Sequence, residues 1–148
     1  MRIEDIMTRQ VKTAKLDDTL EHVQELFTRY RFRHMPIVGD KGRLVGIISD
    51  RDMLANVSPF AGTINERAAD ANSLKRRAHQ IMTRDPQTVS PQETAEGATL
   101  MLLHRRISAL PVVDQNGRLV GIVTMRDLVR WLLNHAGVDQ RKPTDDAA

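Results

Sequence analysis

The chain has 148 residues, of which 41% are hydrophobic, and a formal net charge of +3 from 22 basic and 19 acidic residues. This length predicts one domain with a real core, and the absence of cysteine excludes disulfides and thiolate metal sites. No run reaches the roughly 20 apolar residues that a membrane span needs and no signal peptide is present, so the sequence predicts a cytoplasmic protein. An aromatic content of only 3%, with no basic cluster denser than residues 75–77, argues against nucleic acid as a partner.

The first half of the chain predicts a strand, a helix, two strands and a second helix. The predicted elements are strand 11–13, helix 19–31, strand 35–38, strand 44–48 and a helix that begins near Asp50 or Arg51. The apolar stripe of the first helix is typical of core packing. We expect Asp17 or Asp18 to cap this helix, and a glycine-containing hairpin turn to join the two later strands.

The second half repeats the first, 75 positions later and without a gap. Between residues 6–54 and 81–129, 18 of 49 positions are identical. In the second copy Ser90, Pro91 and Glu93 are expected to begin the first helix as a capping box. Because a unit of roughly 50 residues is marginal alone, we predict one domain of two interlocked repeats. The predicted boundaries are repeat one 1–57, linker 58–78 with helix from about 64, repeat two 79–135 and a disordered polar tail 136–148.

A hydroxyl residue followed three positions later by aspartate ends the last strand of each copy. The two motifs are Ser49-Asp50-Arg51-Asp52 and Thr124-Met125-Arg126-Asp127. The hydroxyl and the N–H groups of a helix start can donate to phosphate, arginine adds a charge-assisted donor, and the carboxylate can accept from a ribose diol. The same pattern is also an ordinary helix N-cap, so both interpretations stay open for either motif alone. Its recurrence in the same frame favours nucleotide binding.

The chain resembles a tandem pair of CBS domains, the cystathionine β-synthase-type repeat often called a Bateman module. The resemblance covers about residues 1–133. It is carried by residues 6–8, 11–13, 32–38 and 42–52 and by their partners 81–83, 107–113 and 117–127. It implies an α+β (α/β) fold in which two β-α-β-β-α repeats pack by pseudo-twofold symmetry.

The resemblance also implies two clefts between the repeats that bind adenosine-containing ligands. In such pairs the aspartate holds the ribose, the hydroxyl approaches phosphate, and each cleft borrows residues from the other repeat. One implied cleft combines Thr8, Thr13, Arg33, His34, Thr124, Arg126 and Asp127, and the other combines Ser49, Arg51, Asp52, Thr83, Thr88, Ser108 and Ala109. The implied ligand is AMP, ADP or ATP, with S-adenosylmethionine or NAD as alternatives, and no cofactor is required. Since Ser108-Ala109 stands where the first copy has Arg33-His34, we expect the Asp127 cleft to be the more cationic.

These features predict a regulatory module that signals to an effector protein when a nucleotide binds. The resemblance further implies a homodimer formed through helices, for which the candidate residues are Met53, Leu54, Leu128, Trp131 and Leu132. One alternative is a structural or dimerisation module whose clefts bind nothing. Another is an enzyme that uses Asp50 with Asp52 as a metal pair or one of the five histidines. The enzyme is disfavoured because no histidines show paired ligand spacing and Asp50 becomes Met125 in the second copy.

Overall fold

Repeat one forms the predicted order of strand, helix, strand, strand and helix, and repeat two forms the same order except that its first strand is reduced to a single bridge. A short helix that the sequence did not predict precedes each repeat. The computed structural model describes residues 1–138. Repeat one contains α1 (Ile3–Ile6), β1 (Ala14–Lys15), α2 (Leu20–Tyr30), β2 (His34–Val38), β3 (Leu44–Ser49) and α3 (Asp50–Asn56). After α4 (Ala68–Lys75), repeat two contains α5 (Ala78–Ile81), β4 (Thr83–Arg84), α6 (Ala95–Arg105), β5 (Ala109–Val113), β6 (Leu119–Thr124) and α7 (Met125–His135). Most of the predicted tail, residues 139–148, lies outside the described residues.

The first predicted strand of each repeat lies later, or is shorter, than expected. In repeat one the strand is Ala14–Lys15 rather than 11–13, and it pairs in parallel with Ile37 and Val38. In repeat two its counterpart is reduced to one parallel bridge between Val89 and Val112. In both repeats the first strand therefore pairs with the C-terminal end of the second strand.

The helix caps also differ from the prediction. Thr19 caps α2 by accepting from the His22 N–H, and Thr94 caps α6 by accepting from the Gly97 N–H at 3.0 Å. The predicted start of α6 at residues 90–93 is wrong, because the backbone of this segment forms hydrogen bonds with the first residues of the chain instead of beginning the helix. The carbonyl oxygens of Pro91 and Glu93 accept hydrogen bonds from residues 4 and 3.

The two repeats are joined by exchange of their leading segments, residues 3–8 and 78–84. Strand β4 of repeat two completes the sheet of repeat one, in the order β1-β2-β3-β4, with its residue Thr83 opposite Ile47. In return Thr8 forms two backbone hydrogen bonds of 2.9 Å with Ile122 of the β5-β6 sheet. Two β-strand contacts of this kind make the pair a single pseudo-twofold unit.

The exchange also mixes the two hydrophobic cores. Ile3 and Met7 of repeat one are buried in a cluster whose other buried residues all belong to repeat two, among them Leu110 and Val123. Ala78 and Met82 are buried in the corresponding cluster of repeat one. Each repeat thus completes the core of the other, which accounts for two units of marginal size forming one stable domain.

Gly46 and Gly121 permit this exchange because the incoming backbone passes directly over them. A Cβ added at Gly46 would lie 3.0 Å from the Thr83 carbonyl oxygen, and one at Gly121 would lie 2.9 Å from that of Thr8. Backbone atoms cannot move away as the end of a flexible side chain can. The groups that approach the two glycines belong to the leading segment of the other repeat.

Gly46→Ala is therefore expected to lower the free energy of unfolding by about 1–3 kcal/mol through overpacking, measured by urea denaturation. Gly97→Ala is the matched control. It lies in a helix, and its added Cβ meets mainly the Glu93 side chain, which can move. If Gly46→Ala were as stable as Gly97→Ala, the close packing of β3 against β4 would be contradicted.

Of the residues predicted to form a dimer face, some are buried in the cores and others are exposed at the surface. Met53 and Leu128 are buried in the two cores, whereas Leu54 is 82% exposed and Leu132 is 58% exposed.

Within residues 1–138, no helix has the length and apolar character that crossing a membrane requires.

Candidate functional site

The repeated motif forms a capping box at the start of α3 and of α7. The Ser49 hydroxyl accepts from the Asp52 N–H at 3.1 Å, and Asp52 Oδ2 accepts from the Ser49 N–H at 2.8 Å. Thr124 and Asp127 make the same pair of bonds at 3.2 and 2.9 Å. The capping interpretation is therefore confirmed. It uses Oδ2 of each carboxylate, so the cap does not occupy Oδ1.

A cavity of about 640 Å³, here called the Asp52 cleft, opens at the start of α3 between the two repeats. It is lined by the whole motif of repeat one, and from repeat two by Thr83, by residues 85–87 and by the α6–β5 loop. Its lining residues are Arg33, His34, Ile47, Ser49, Asp50, Arg51, Asp52, Thr83, Asp85, Pro86, Gln87, Arg106, Ile107, Ser108, Ala109 and Pro111. Each repeat contributes, as the resemblance implies.

A smaller cavity of about 340 Å³, here called the Asp127 cleft, opens at the start of α7. It is related to the first by the repeat, since Ile122, Thr124 and Asp127 correspond to Ile47, Ser49 and Asp52. Its lining residues are Thr8, Gln10, Val11, Lys12, Tyr30, Phe32, Arg33, His34, Ile122, Thr124 and Asp127. Asp127 keeps only 17% of its side chain exposed and lies 3.7 Å from Arg130 through Oδ1.

Most of the predicted site residues come together in these two clefts. The Asp52 cleft holds Ser49, Arg51, Asp52, Thr83, Ser108 and Ala109, and the Asp127 cleft holds Thr8, Thr124 and Asp127. Arg33 and His34, which the sequence assigned to the Asp127 cleft alone, line both cavities. They form the wall that the two clefts share.

Three predicted residues lie outside the linings of these clefts. Thr13 lines a cavity of about 210 Å³ beside Gly42, and Thr88 lines one of about 540 Å³ beside Asp114. The reason is the strand register, because the first strand of each repeat pairs at the Val38 or Val113 end of its neighbour, whereas the clefts open at the other end. Arg126 lies in the first turn of α7 but is not among the residues that line the Asp127 cleft.

The structure adds residues that the sequence reasoning missed. Asp85 and Arg106 line the Asp52 cleft, and Gln10 and Lys12 line the Asp127 cleft. Gln10 and Asp85 are equivalent positions in the two repeats, two residues beyond Thr8 and Thr83. Aligning the cleft residues across the 75-residue shift would have identified this pair.

The charges of the two linings differ. The Asp52 cleft has three arginines, Arg33, Arg51 and Arg106, balanced by three aspartates. The Asp127 cleft has Lys12 and Arg33 against one aspartate. The Lys12 ammonium also lies over the Tyr30 ring, 4.3 Å from its centroid. The smaller cleft thus carries the more positive lining.

His34 connects the two repeats at the shared wall. Its Nε2 lies 3.0 Å from the Ser108 hydroxyl. Burial lowers the pKa of His34 below its ordinary value, as does Arg33, while Asp50 and Asp52 act in the opposite direction. A lowered pKa keeps the imidazole neutral at pH 7 in the ligand-free protein.

Among residues 1–138, no group of three histidine, aspartate or glutamate side chains is placed to hold a metal ion. Asp50 and Asp52 therefore form no metal site with a third ligand of this type in the described part of the chain.

Comparison with known proteins identifies the architecture. The sequence model of the CBS domain matches residues 3–59 and again residues 78–134. The chain belongs to the CBS domain family. The crystal structure of CBSX2 in complex with AMP superposes on this CBS pair with a TM-score of 0.77, at 28% identity over 91% of this chain and 98% of that one. The CBS domain pair of protein MJ0100, solved with 5′-methylthioadenosine and S-adenosyl-L-methionine, gives a TM-score of 0.75 at 28% identity, again covering 91% and 98%.

This CBS pair also resembles part of a larger enzyme. It is 35% identical over 130 residues to inosine-5′-monophosphate dehydrogenase of Mycobacterium tuberculosis. The match covers 87% of this chain and 22% of the enzyme, so the CBS pair spans only about a fifth of the length of that relative. The two CBS domains account for most of the described residues.

Proposed function

We propose that this CBS pair is a regulatory module that binds adenine nucleotides, AMP, ADP or ATP, in the Asp52 and Asp127 clefts. The observation that carries the proposal is the pairing of each capping-box carboxylate with a cavity formed by both repeats. Structures of similar CBS pairs were solved with AMP and with S-adenosyl-L-methionine, which supports an adenosine-containing ligand.

The roles of the residues follow from their chemistry. Oδ1 of Asp52 and of Asp127 accepts from the ribose hydroxyls while Oδ2 keeps the helix cap. In the Asp52 cleft, Arg51 and Arg106 supply charged donors for phosphate, and Thr83 and Ser108 supply hydroxyls. In the Asp127 cleft, Lys12 and Arg33 supply the positive charge.

A nucleotide regulates only if it binds one arrangement of the repeats better than another. Each cleft is lined by both repeats, so a ligand that contacts both walls favours the arrangement in which they are correctly spaced. We propose that an effector protein responds to this arrangement in the cytoplasm. A homodimer through the exposed residues Leu54, Val129 and Leu132 is part of the proposal.

Thermal melts of the purified chain test the proposal directly. AMP, ADP or ATP is expected to raise the melting temperature with concentration, since a ligand at 100 times its dissociation constant adds about 2.7 kcal/mol of stability. NAD and S-adenosylmethionine are included as the alternative ligands. No change with any of the five compounds would contradict nucleotide binding and favour a structural module.

A further inference from the structure

Arg33 and His34 stand where the two clefts meet. They line both cavities, and no other residue is shared by the linings of the two clefts. Within residues 1–138 no ion pair involves the Arg33 guanidinium, and the side chain is exposed. A single guanidinium and a single imidazole thus face two places where a phosphate is expected.

The backbone ties this wall to both helix starts. The Asp50 N–H at the start of α3 donates to the Arg33 carbonyl oxygen at 2.9 Å, and the Met125 N–H at the start of α7 donates to that of Ser108 at 2.8 Å. The hydrogen bond between the His34 and Ser108 side chains connects the residues that make these two backbone bonds, because Arg33 precedes His34 in the chain. A contiguous path therefore joins the helix of Asp52 to the helix of Asp127.

The repeat supplies no second wall of this kind. The positions equivalent to Arg33 and His34 are Ser108 and Ala109, which carry no charge. The Asp52 cleft has two further arginines, Arg51 and Arg106, whereas Lys12 is the other basic residue lining the Asp127 cleft. Because Ser108 lines the Asp52 cleft, its bond holds the His34 ring on that side.

We propose that Arg33 and His34 serve one cleft at a time, so that an anionic nucleotide in the Asp52 cleft weakens the binding of a second one in the Asp127 cleft. This inference rests on the proposed nucleotide binding. The physical reason is that a guanidinium engaged with one phosphate is not available to another, and the Asp127 cleft depends on it more. Coupling between sites of this kind is typically 5-fold or more, and it acts equally in both directions.

Isoleucine methyl NMR can follow the two clefts separately, because Ile47 lines the Asp52 cleft and Ile122 lines the Asp127 cleft. In an AMP titration, the Ile47 methyl is expected to respond at lower concentration than the Ile122 methyl. In Asp52→Ala, which weakens binding at the first cleft, the dissociation constant measured at Ile122 is expected to become about 5-fold tighter. Asp52→Asn, which keeps an acceptor for the helix cap, replaces Asp52→Ala if that variant is unstable.

Two further comparisons isolate the shared wall. With Arg33→Ser, which installs the residue of the second repeat, Asp52→Ala is expected to change the Ile122 constant by less than about 2-fold, while Arg29→Ser leaves the 5-fold effect in place. Uncharged adenosine is expected to show no coupling. An Ile122 constant that is unchanged or weaker in Asp52→Ala overturns the proposal, as does a coupling that persists in Arg33→Ser. If neither methyl shifts with AMP or adenosine in the unmodified chain, the nucleotide-binding function itself has failed.

Discussion

Asp127→Ala is expected to weaken adenine nucleotide binding at the Asp127 cleft by about 10- to 100-fold, measured by isothermal titration calorimetry. The reason is the loss of a charged acceptor from a cavity of about 340 Å³, where hydrogen bonds to charged groups are worth about 1.5–3 kcal/mol. Asp52→Ala is expected to have the same effect at the Asp52 cleft. The fold is retained in both, with a cost of about 1 kcal/mol for the lost cap.

The control for these variants is Asp70→Ala. Asp70 lies at the equivalent position in the first turn of α4, where its Oδ2 accepts from the Arg67 N–H at 2.8 Å, but it lines neither cleft. It is expected to lower stability without changing nucleotide affinity. If Asp52→Ala and Asp127→Ala both bound nucleotide like the unmodified chain, the ribose role would be wrong and the two carboxylates would be helix caps alone.

Ile3→Ala is expected to lower the free energy of unfolding by about 2–5 kcal/mol, although Ile3 is the third residue of the chain. Chain ends usually tolerate change. Here Ile3 is fully buried in the core of repeat two, and its N–H donates to the Glu93 carbonyl oxygen at 2.8 Å. Truncation of this side chain leaves a cavity in the cluster that contains Leu110 and Val123.

Ile64→Ala is the matched substitution for this measurement, since Ile64 is fully exposed. Urea denaturation of both variants is expected to show a change of less than about 0.5 kcal/mol for Ile64→Ala. Equal stability of the two variants would contradict the exchange of leading segments. It would imply that residues 3–8 do not pack in the core of repeat two.

The elements that the sequence predicted best are those governed by local pattern. Strands β2, β3, β5 and β6 follow from apolar runs bounded by glycine-containing turns, and the starts of α3 and α7 follow from a hydroxyl and an aspartate three residues apart. The caps of α2 and α6 were misplaced because several neighbouring residues can cap a helix. Thr19 and Thr94 are the capping residues that also form a β-bridge with the other repeat, Thr19 with Arg77 and Thr94 with Arg2.

The candidate site shows the same division. The 75-residue repeat identified Ser49, Asp52, Thr124 and Asp127 as equivalent, and the structure places all four in two related clefts. Thr13 and Thr88 were expected beside them, but the register of the first strands places them at the opposite end of the sheets. The register of a strand depends on its pairing with segments distant in the sequence, so a local motif does not predict it.

The sequence by itself determined the architecture, because a gapless repeat with one apolar pattern can bury its two faces only by pairing the copies. Tertiary structure alone decided which residues meet across the pair. It placed Ile3 in the core of the other repeat, Gly46 under the Thr83 carbonyl, and Arg33 with His34 between two clefts rather than in one. These contacts join residues about 40 to 120 positions apart, and their partners are set by packing and strand pairing rather than by neighbours in the chain.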